Sequence, residues 1–412
     1  MSSAATISRG ARGLVLAGAG FLVACTFAAA IDEPRSTVVA FGLYGFVLHT
    51  IFGKAYGLLP AYFDRDLAVP HAPQLQVPLS IAGTIFLAAT PRSELAGLLP
   101  IEPDAATDLG AILWAAGAIL FLGTIALTIR DNPTGAATGT SPSKPERARL
   151  DRVANAAMPI ALVYLGIATY QLLASPLELP DVLDSGLAAS HLLAVGTAAL
   201  FVFSIGARLL PRLLRADVPD SLAVAVLVSG AIGPALLVGW FDGGIAGASG
   251  EGLLHGAIAL VGAAVVGHAI LVALLVVRAP APRLGAYGVL AGAIGGVATV
   301  AAGGLIGLGE RTELFAIHPR LGLLGFLGVT ILSVVYHFYP PAVAGDRGDL
   351  VATASLWTLG GGVLLELVAI LYAAGRPTGT TASAVDAGQW LAVVGALAYA
   401  ALLVVIVVNR GR

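Results

Sequence analysis

The segment 318-HPRLGLLGFLGVTILSVVYHFYP-340 opens on a histidine, stays apolar for most of its length and closes with a second histidine just before a proline. It is long enough to cross a hydrocarbon core of about 30 Å, so it reads as a membrane span with His318 and Arg320 near one end and His337 near the other. Two further segments share its plan, 42-GLYGFVLHTIFGKAYGLLP-60 and 191-HLLAVGTAALFVFSIGARLLP-211. Each carries a glycine fifteen residues before a terminal proline: Gly45 and Pro60, Gly196 and Pro211, Gly325 and Pro340. Tyr56 and Tyr336 both stand four residues before that proline, where the middle copy has Ala207. Self-similarity at a fixed spacing is the mark of a repeat. Since the copies are four spans apart, the simplest arrangement is three repeats of four helices, each placing its second helix around a pseudo-threefold axis.

Composition supports this reading. Hydrophobic residues make up 58% of the 412 and charged residues only 11%, against roughly 25% charged in a soluble domain. Apolar windows fall at about 12–31, 37–60, 76–91, 106–129, 153–174, 186–211, 218–241, 251–277, 284–308, 314–340, 350–374 and 387–409, the third being short. In lipid every backbone polar group must be satisfied internally, which leaves helices or a closed barrel, and the runs show no period-two alternation. The fold class is therefore an all-α integral membrane protein of about twelve transmembrane helices in three pseudo-repeats of four. We read residues 1–412 as a single polytopic membrane domain, with repeat one over about 12–129, a linker over 130–152, repeat two over 153–277 and repeat three over 284–409. The first apolar run follows Arg9 and Arg12 like a signal peptide, but its length and the eleven spans after it make it a retained helix.

Charge sorts the loops. With the N-terminus inside, seventeen of the 22 basic residues fall on inner segments: Arg9, Arg12, Lys54, Arg65, Arg130, Lys144, Arg147, Arg149, Arg152, Arg208, Arg212, Arg215, Arg278, Arg283, Arg347, Arg410 and Arg412. Only Arg35, Arg92, Arg311 and Arg376 fall on outer loops. The positive-inside rule places the protein in the cell membrane with both termini cytoplasmic. The bilayer is its expected partner, and basic residues without interleaved aromatics argue against nucleic acid. The one long polar stretch, 131-DNPTGAATGTSPSKPERARLD-151, reads as a flexible cytoplasmic connection. A single cysteine, Cys25, excludes a disulfide or cysteine metal site, and no phosphate-binding loop, hydrolase or zinc-protease motif is present.

Intramembrane ionisable residues are costly and count as functional candidates. His191, His255 and His318 each lie one to one and a half turns from the outer end of spans six, eight and ten, roughly 6 to 9 Å deep. At one depth they can form a ligand cluster, while each alone can equally hydrogen-bond a neighbouring helix. His337 is about 28 Å further along its helix than His318 and cannot share that site. His49 and His268 lie deeper in their helices, and His71 is in a loop. Arg320 and Glu366 are the charges that fall well inside spans. Because spans ten and eleven run in opposite directions, the two arrive at comparable depth and are expected to pair.

Twelve helices in three groups of four, with histidine opening span ten and an aromatic-rich stretch ending it at proline, resemble subunit I of the haem-copper oxidases. The segment 318–340 is most similar to the C-type oxidases and nitric oxide reductases, whose corresponding helix opens His-x-His-x(4)-Leu-Gly. Span six is similar to the NnrS-type haem membrane proteins, which are linked to nitric oxide response. The resemblance implies a b-type haem held by His318, with His191 or His255 as second ligand or metal partner, in nitric oxide or respiratory stress handling. Departures matter equally. Arg320 replaces the family's second histidine, span two has Val38 and Ala40 in the matching registers, span seven has no copper-binding histidine pair, and Val195 stands where some oxidases place tyrosine after His191. Oxygen reduction by the family's mechanism is not expected, and no catalytic residue or redox partner is identified. A cofactor-free transporter or channel, or a structural subunit on the same bundle, is the alternative.

Overall fold

In the computed structural model of this chain the described residues are 3–244, 250–282, 284–374 and 376–411. Arg283 and Arg412, counted above among the inner basic residues, lie outside them. Among the described residues there is no strand. The twelve helices are α1 (Ser3–Ala30), α2 (Arg35–Tyr62), α3 (Ala72–Ala88), α4 (Pro103–Ile129), α5 (Ala148–Ala174), α6 (Gly186–Leu214), α7 (Asp220–Phe241), α8 (Gly250–Arg278), α9 (Leu284–Gly307), α10 (His318–Phe338), α11 (Gly348–Tyr372) and α12 (Thr380–Gly411). Eleven are long and apolar enough to cross a membrane, and α3, with 17 residues, is shorter. The chain is a multi-pass, all-α membrane protein.

α2, α6 and α10 form the centre. In their apolar windows 78%, 72% and 72% of residues are buried, against 33–56% in the other long helices, so nine helices shield three from lipid. Each inner helix contains eight residues wound as a π-helix, Ala40–Val47, Leu192–Ala199 and Leu321–Gly328. Runs of this kind are rare and concentrate at functional sites. Each begins 19 or 20 residues before the terminal proline and contains the repeat glycine. The three π segments touch one another pairwise. The helices end within three residues of Pro60, Pro211 and Pro340, where proline's missing N–H limits continuation.

The same neighbours recur in each group of four. The third and fourth helices of each group pack extensively on one another, α3 with α4, α7 with α8 and α11 with α12, and α12 packs back on α1 to close the ring. Without a hydrophobic drive between helices in lipid, close backbone approach holds them together. Small residues supply it. A Cβ at Gly292 would strike Thr330 of α10, and one at Gly295 the Gly325 carbonyl. Cys25 is buried in α1 against α2, with its thiol 3.5 Å from the Val38 carbonyl oxygen.

The linker departs from expectation. Its first half is docked rather than flexible, because buried charge at the adjoining helix ends needs its carbonyls. Arg208 of α6 is 2% exposed and donates to the Thr138 carbonyl at 2.7 Å, to the Tyr62 carbonyl at 2.9 Å and to the Asn155 side chain. Asp151 of α5 takes a two-pronged contact from Arg212, 2.6 and 3.2 Å, lies 3.4 Å from Arg208 Nε and accepts from the Thr140 hydroxyl. Asn132 donates to the Phe63 and Ala137 carbonyls. Gly135 has φ +67° with its α-carbon against Asn155, leaving no room for a side chain. The longest continuously exposed stretch of the linker is 141–146, whereas Asn132, Gly135 and Thr138 in its first half are buried. Arg320 and Glu366 are thus not the only buried charges, for Asp151 and Arg208 make a second set.

Candidate functional site

At the end of the bundle opposite the chain termini, α6 to α10 and the first turns of α2, through Arg35, Val39 and Leu43, line a cavity of about 300 Å³. This is the lower end of the range typical of ligand pockets. Its walls are mostly apolar, with Trp240, Phe241, Phe315 and Phe326 among them, and six glycines from α8, α9 and α10 flatten its sides. The polar side chains on it are Arg35, Ser190, His191, Thr299 and His318.

His191 and His318 are brought together, with ring centres 6.2 Å apart and planes within 15°. Ser185 caps the start of α6, its hydroxyl accepting from the Leu187 amide at 3.1 Å. The first turn so formed presents the Leu187 carbonyl to His191 Nδ1 at 2.7 Å. That contact places the proton on Nδ1 and leaves Nε2 with its lone pair. His318 opens α10 in front of Gly303, where a Cβ would come within 3.0 Å of its Cε1. Its Nδ1 is buried without a hydrogen-bond partner. Phe241 backs the His191 ring at 4.8 Å.

Arg35 stacks its guanidinium 4.0 Å above Phe315 at the rim, and its charge bears on both imidazoles. Sequence reading placed Arg35 in an outer loop. The available signal was that it is one of few cations on the side where basic residues are scarce. Nearby, Asp242 accepts from the Asp184 amide at 3.1 Å; burial and the Asp184 carboxylate raise its carboxyl above the ordinary range, against the lowering by two amides. Arg311 holds the exposed Glu313 carboxyl below its usual range by direct hydrogen bonding.

His255 does not join the pair. It is exposed, while Leu254, Ala257 and Ile258 of the same turns face the cavity. His337 packs on Gly285 at the opposite end. His49 turns Nδ1 to the Tyr44 carbonyl at 2.9 Å, and His268 packs tilted against the Phe203 ring, with centres 5.0 Å apart, beside a smaller apolar cavity of about 80 Å³. Among the described residues no group of three or more His, Cys, Asp or Glu could hold a metal ion. No family model and no curated protein matches the chain.

Arg320 and Glu366 stand 2.7 Å apart, with the carboxylate side chain 1% exposed. Gln389 of α12 faces the same carboxylate, and Gly388 packs its backbone against Glu366 Cγ. Neither charged residue borders the cavity, so the pair ties α10 to α11 beside the histidines. Removing one partner strands the other charge. A double-mutant cycle of Arg320→Met and Glu366→Leu, read by thermal unfolding in detergent, should show a favourable coupling of about 1–3 kcal/mol; additive losses would dissolve the pair as an energetic unit.

Proposed function

We propose that this is a b-type haem-binding membrane protein in which His191 and His318 would hold the haem iron. In this reading it is related to subunit I of the haem-copper oxidases and serves respiratory or nitric oxide stress handling rather than oxygen reduction. The observation that carries the proposal is the pair of imidazoles facing one apolar cavity, one with Nδ1 committed to a carbonyl and the other with a buried Nδ1 that has no partner. An unsatisfied buried polar atom costs about 1–3 kcal/mol and calls for a reason. Two nitrogens are too few for a bare zinc-like site, which takes four ligands, but they suffice where a macrocycle supplies the rest. The glycine-lined walls leave room for a flat group, and Arg35 at the rim suits its carboxylates. Bound there, haem supplies one-electron redox chemistry. His191 and His318 would hold and orient it, and Trp240, Phe241 and Phe326 would exclude water.

A reduced-minus-oxidised spectrum of protein purified from haem-replete cells should show a Soret band and the sharp α band of a low-spin b haem. Absence of Soret absorbance would overturn this reading in favour of the transporter or structural alternative. We also assign both termini to the cytoplasm, on the charge distribution. A reporter inserted at 141–146, the longest exposed stretch of the linker, should report cytoplasm; an external signal would reverse the assignment.

A further inference from the structure

Among the described residues, two cations shielded inside the bundle each have an acid beside them, and a third, Lys54, has none. Arg208 has Asp151 and Arg320 has Glu366. Lys54, six residues before Pro60 in α2, is only partly accessible, and its ammonium lies 4.1 Å from the ring centre of Tyr339 and 4.4 Å from that of Phe338. The charges that bear on it are Arg410 and Arg12, both of the same sign. Arg410, in the last turn of α12, stands 5.4 Å over the same Tyr339 ring and donates to the Phe338 carbonyl at 2.8 Å. Arg12, three turns into α1, acts on Tyr339 as well. Among the described residues no carboxylate forms an ion pair with Lys54, Arg12 or Arg410.

Lys54 and Arg410 therefore share one aromatic floor where α2, α10 and α12 meet, at the end of the bundle that carries the chain termini, and Arg12 of α1 adds its charge to both Lys54 and Tyr339. Taking an ammonium out of water is costly, the faces of two rings return only part of that cost, and two neighbouring guanidinium groups add repulsion. A lysine seeking relief by extension would snorkel to open water; this one is held between Phe338 and Tyr339. We propose that Lys54, Arg12 and Arg410 form a binding site for a phosphate-class anion, the phosphate of an anionic phospholipid in the leaflet on that side. A phosphate matches both parts of the set, since guanidinium forks grip its oxygens in pairs and an ammonium serves as a point charge. Anionic lipid headgroups are the anions a juxtamembrane basic cluster meets first.

The test uses the full chain, delipidated in neutral detergent, with its thermal midpoint followed as phosphatidylglycerol, phosphatidylcholine or inorganic phosphate is added. Phosphatidylglycerol should raise the midpoint by about 2–4 °C and phosphatidylcholine should not. Lys54→Met should raise the midpoint without lipid, because it removes the uncompensated charge, and should abolish the phosphatidylglycerol response. Arg12→Gln and Arg410→Gln, on more accessible positions, should each raise the half-saturating lipid concentration about tenfold, and they decide the matter if Lys54→Met does not fold. A rise with inorganic phosphate equal to that with phosphatidylglycerol would support the anion site and assign its source to free phosphate. Equal responses to the two lipids, or an undiminished phosphatidylglycerol response in the three variants, would overturn it.

Discussion

His318→Gly, purified from haem-replete cells, is expected to have lost its Soret band, and added imidazole to restore it. The expectation follows from the position of the ring. His318 is the first residue of α10, it closes on a wall where Gly303 leaves it just enough room, and its buried Nδ1 has no protein partner. Deleting the side chain leaves a gap of imidazole shape, so rescue by free imidazole separates loss of a ligand from loss of packing. His191→Gly should behave alike. Leu187→Pro would damage the turn that offers its carbonyl to His191, whereas His255→Ala and His337→Ala should leave the spectrum unchanged, as both rings lie off the cavity. Gly303→Val, which fills the space against His318, should displace the ring and lower haem occupancy without removing any ligand. Retention of the full band in both glycine variants would sink the assignment of His191 and His318 as the residues that hold the haem.

The second large effect is expected at the other end. Asp151→Ala should destabilise the protein by about 3–5 kcal/mol, the usual consequence of stranding a buried partner, because Arg208 would keep its 2% exposure and lose its only acid. Arg208→Met alone should cost a similar amount by leaving Asp151, Asn155 and the Thr138 carbonyl short of a donor. The double variant should lose clearly less than the two singles combined. Limited proteolysis offers a second readout, since the docked part of the linker, 132–140, should become cleavable only when Arg208 or Asp151 is gone. If the singles unfold like the parent, or the linker is cut equally in all variants, the network does not hold the linker in place.

Much of the fold was legible because lipid imposes simple rules. Length and apolar composition located the helices, and the Gly45, Gly196 and Gly325 spacing to proline located the inner three. Depth along a helix followed from counting, which is how His191 and His318 came to be grouped. Azimuth did not. A membrane helix meets apolar surroundings on its protein side and its lipid side alike, so no 3.6-residue pattern marks which face turns inward, and His255 was grouped with residues from which its own helix turns it away. The docked linker escaped notice for another reason: Pro, Ser, Thr and Gly describe a chain without a core of its own, but say nothing of a buried Arg208 that recruits its carbonyls. The π segments left no trace in composition, since the change from i→i+4 to i→i+5 bonding alters pitch and not residue type.

That pitch has a mechanical meaning. Each inner helix has a first portion, which in α6 and α10 carries the cavity histidines, and a second portion, which runs to the terminal proline; between them lie eight residues wound more loosely than the rest. In an α-helix one residue corresponds to about 100° of rotation. The loose stretch is thus a coupling that fixes the angular phase of one portion against the other, turning His191 or His318 into the cavity while Arg208, or Tyr336, faces its own partner below. Removing a single residue from 192–199 or 321–328 would let the helix relax toward ordinary pitch, and the loss would be felt as a twist rather than a shortening: one portion would swing away from its partners while the other stayed in place.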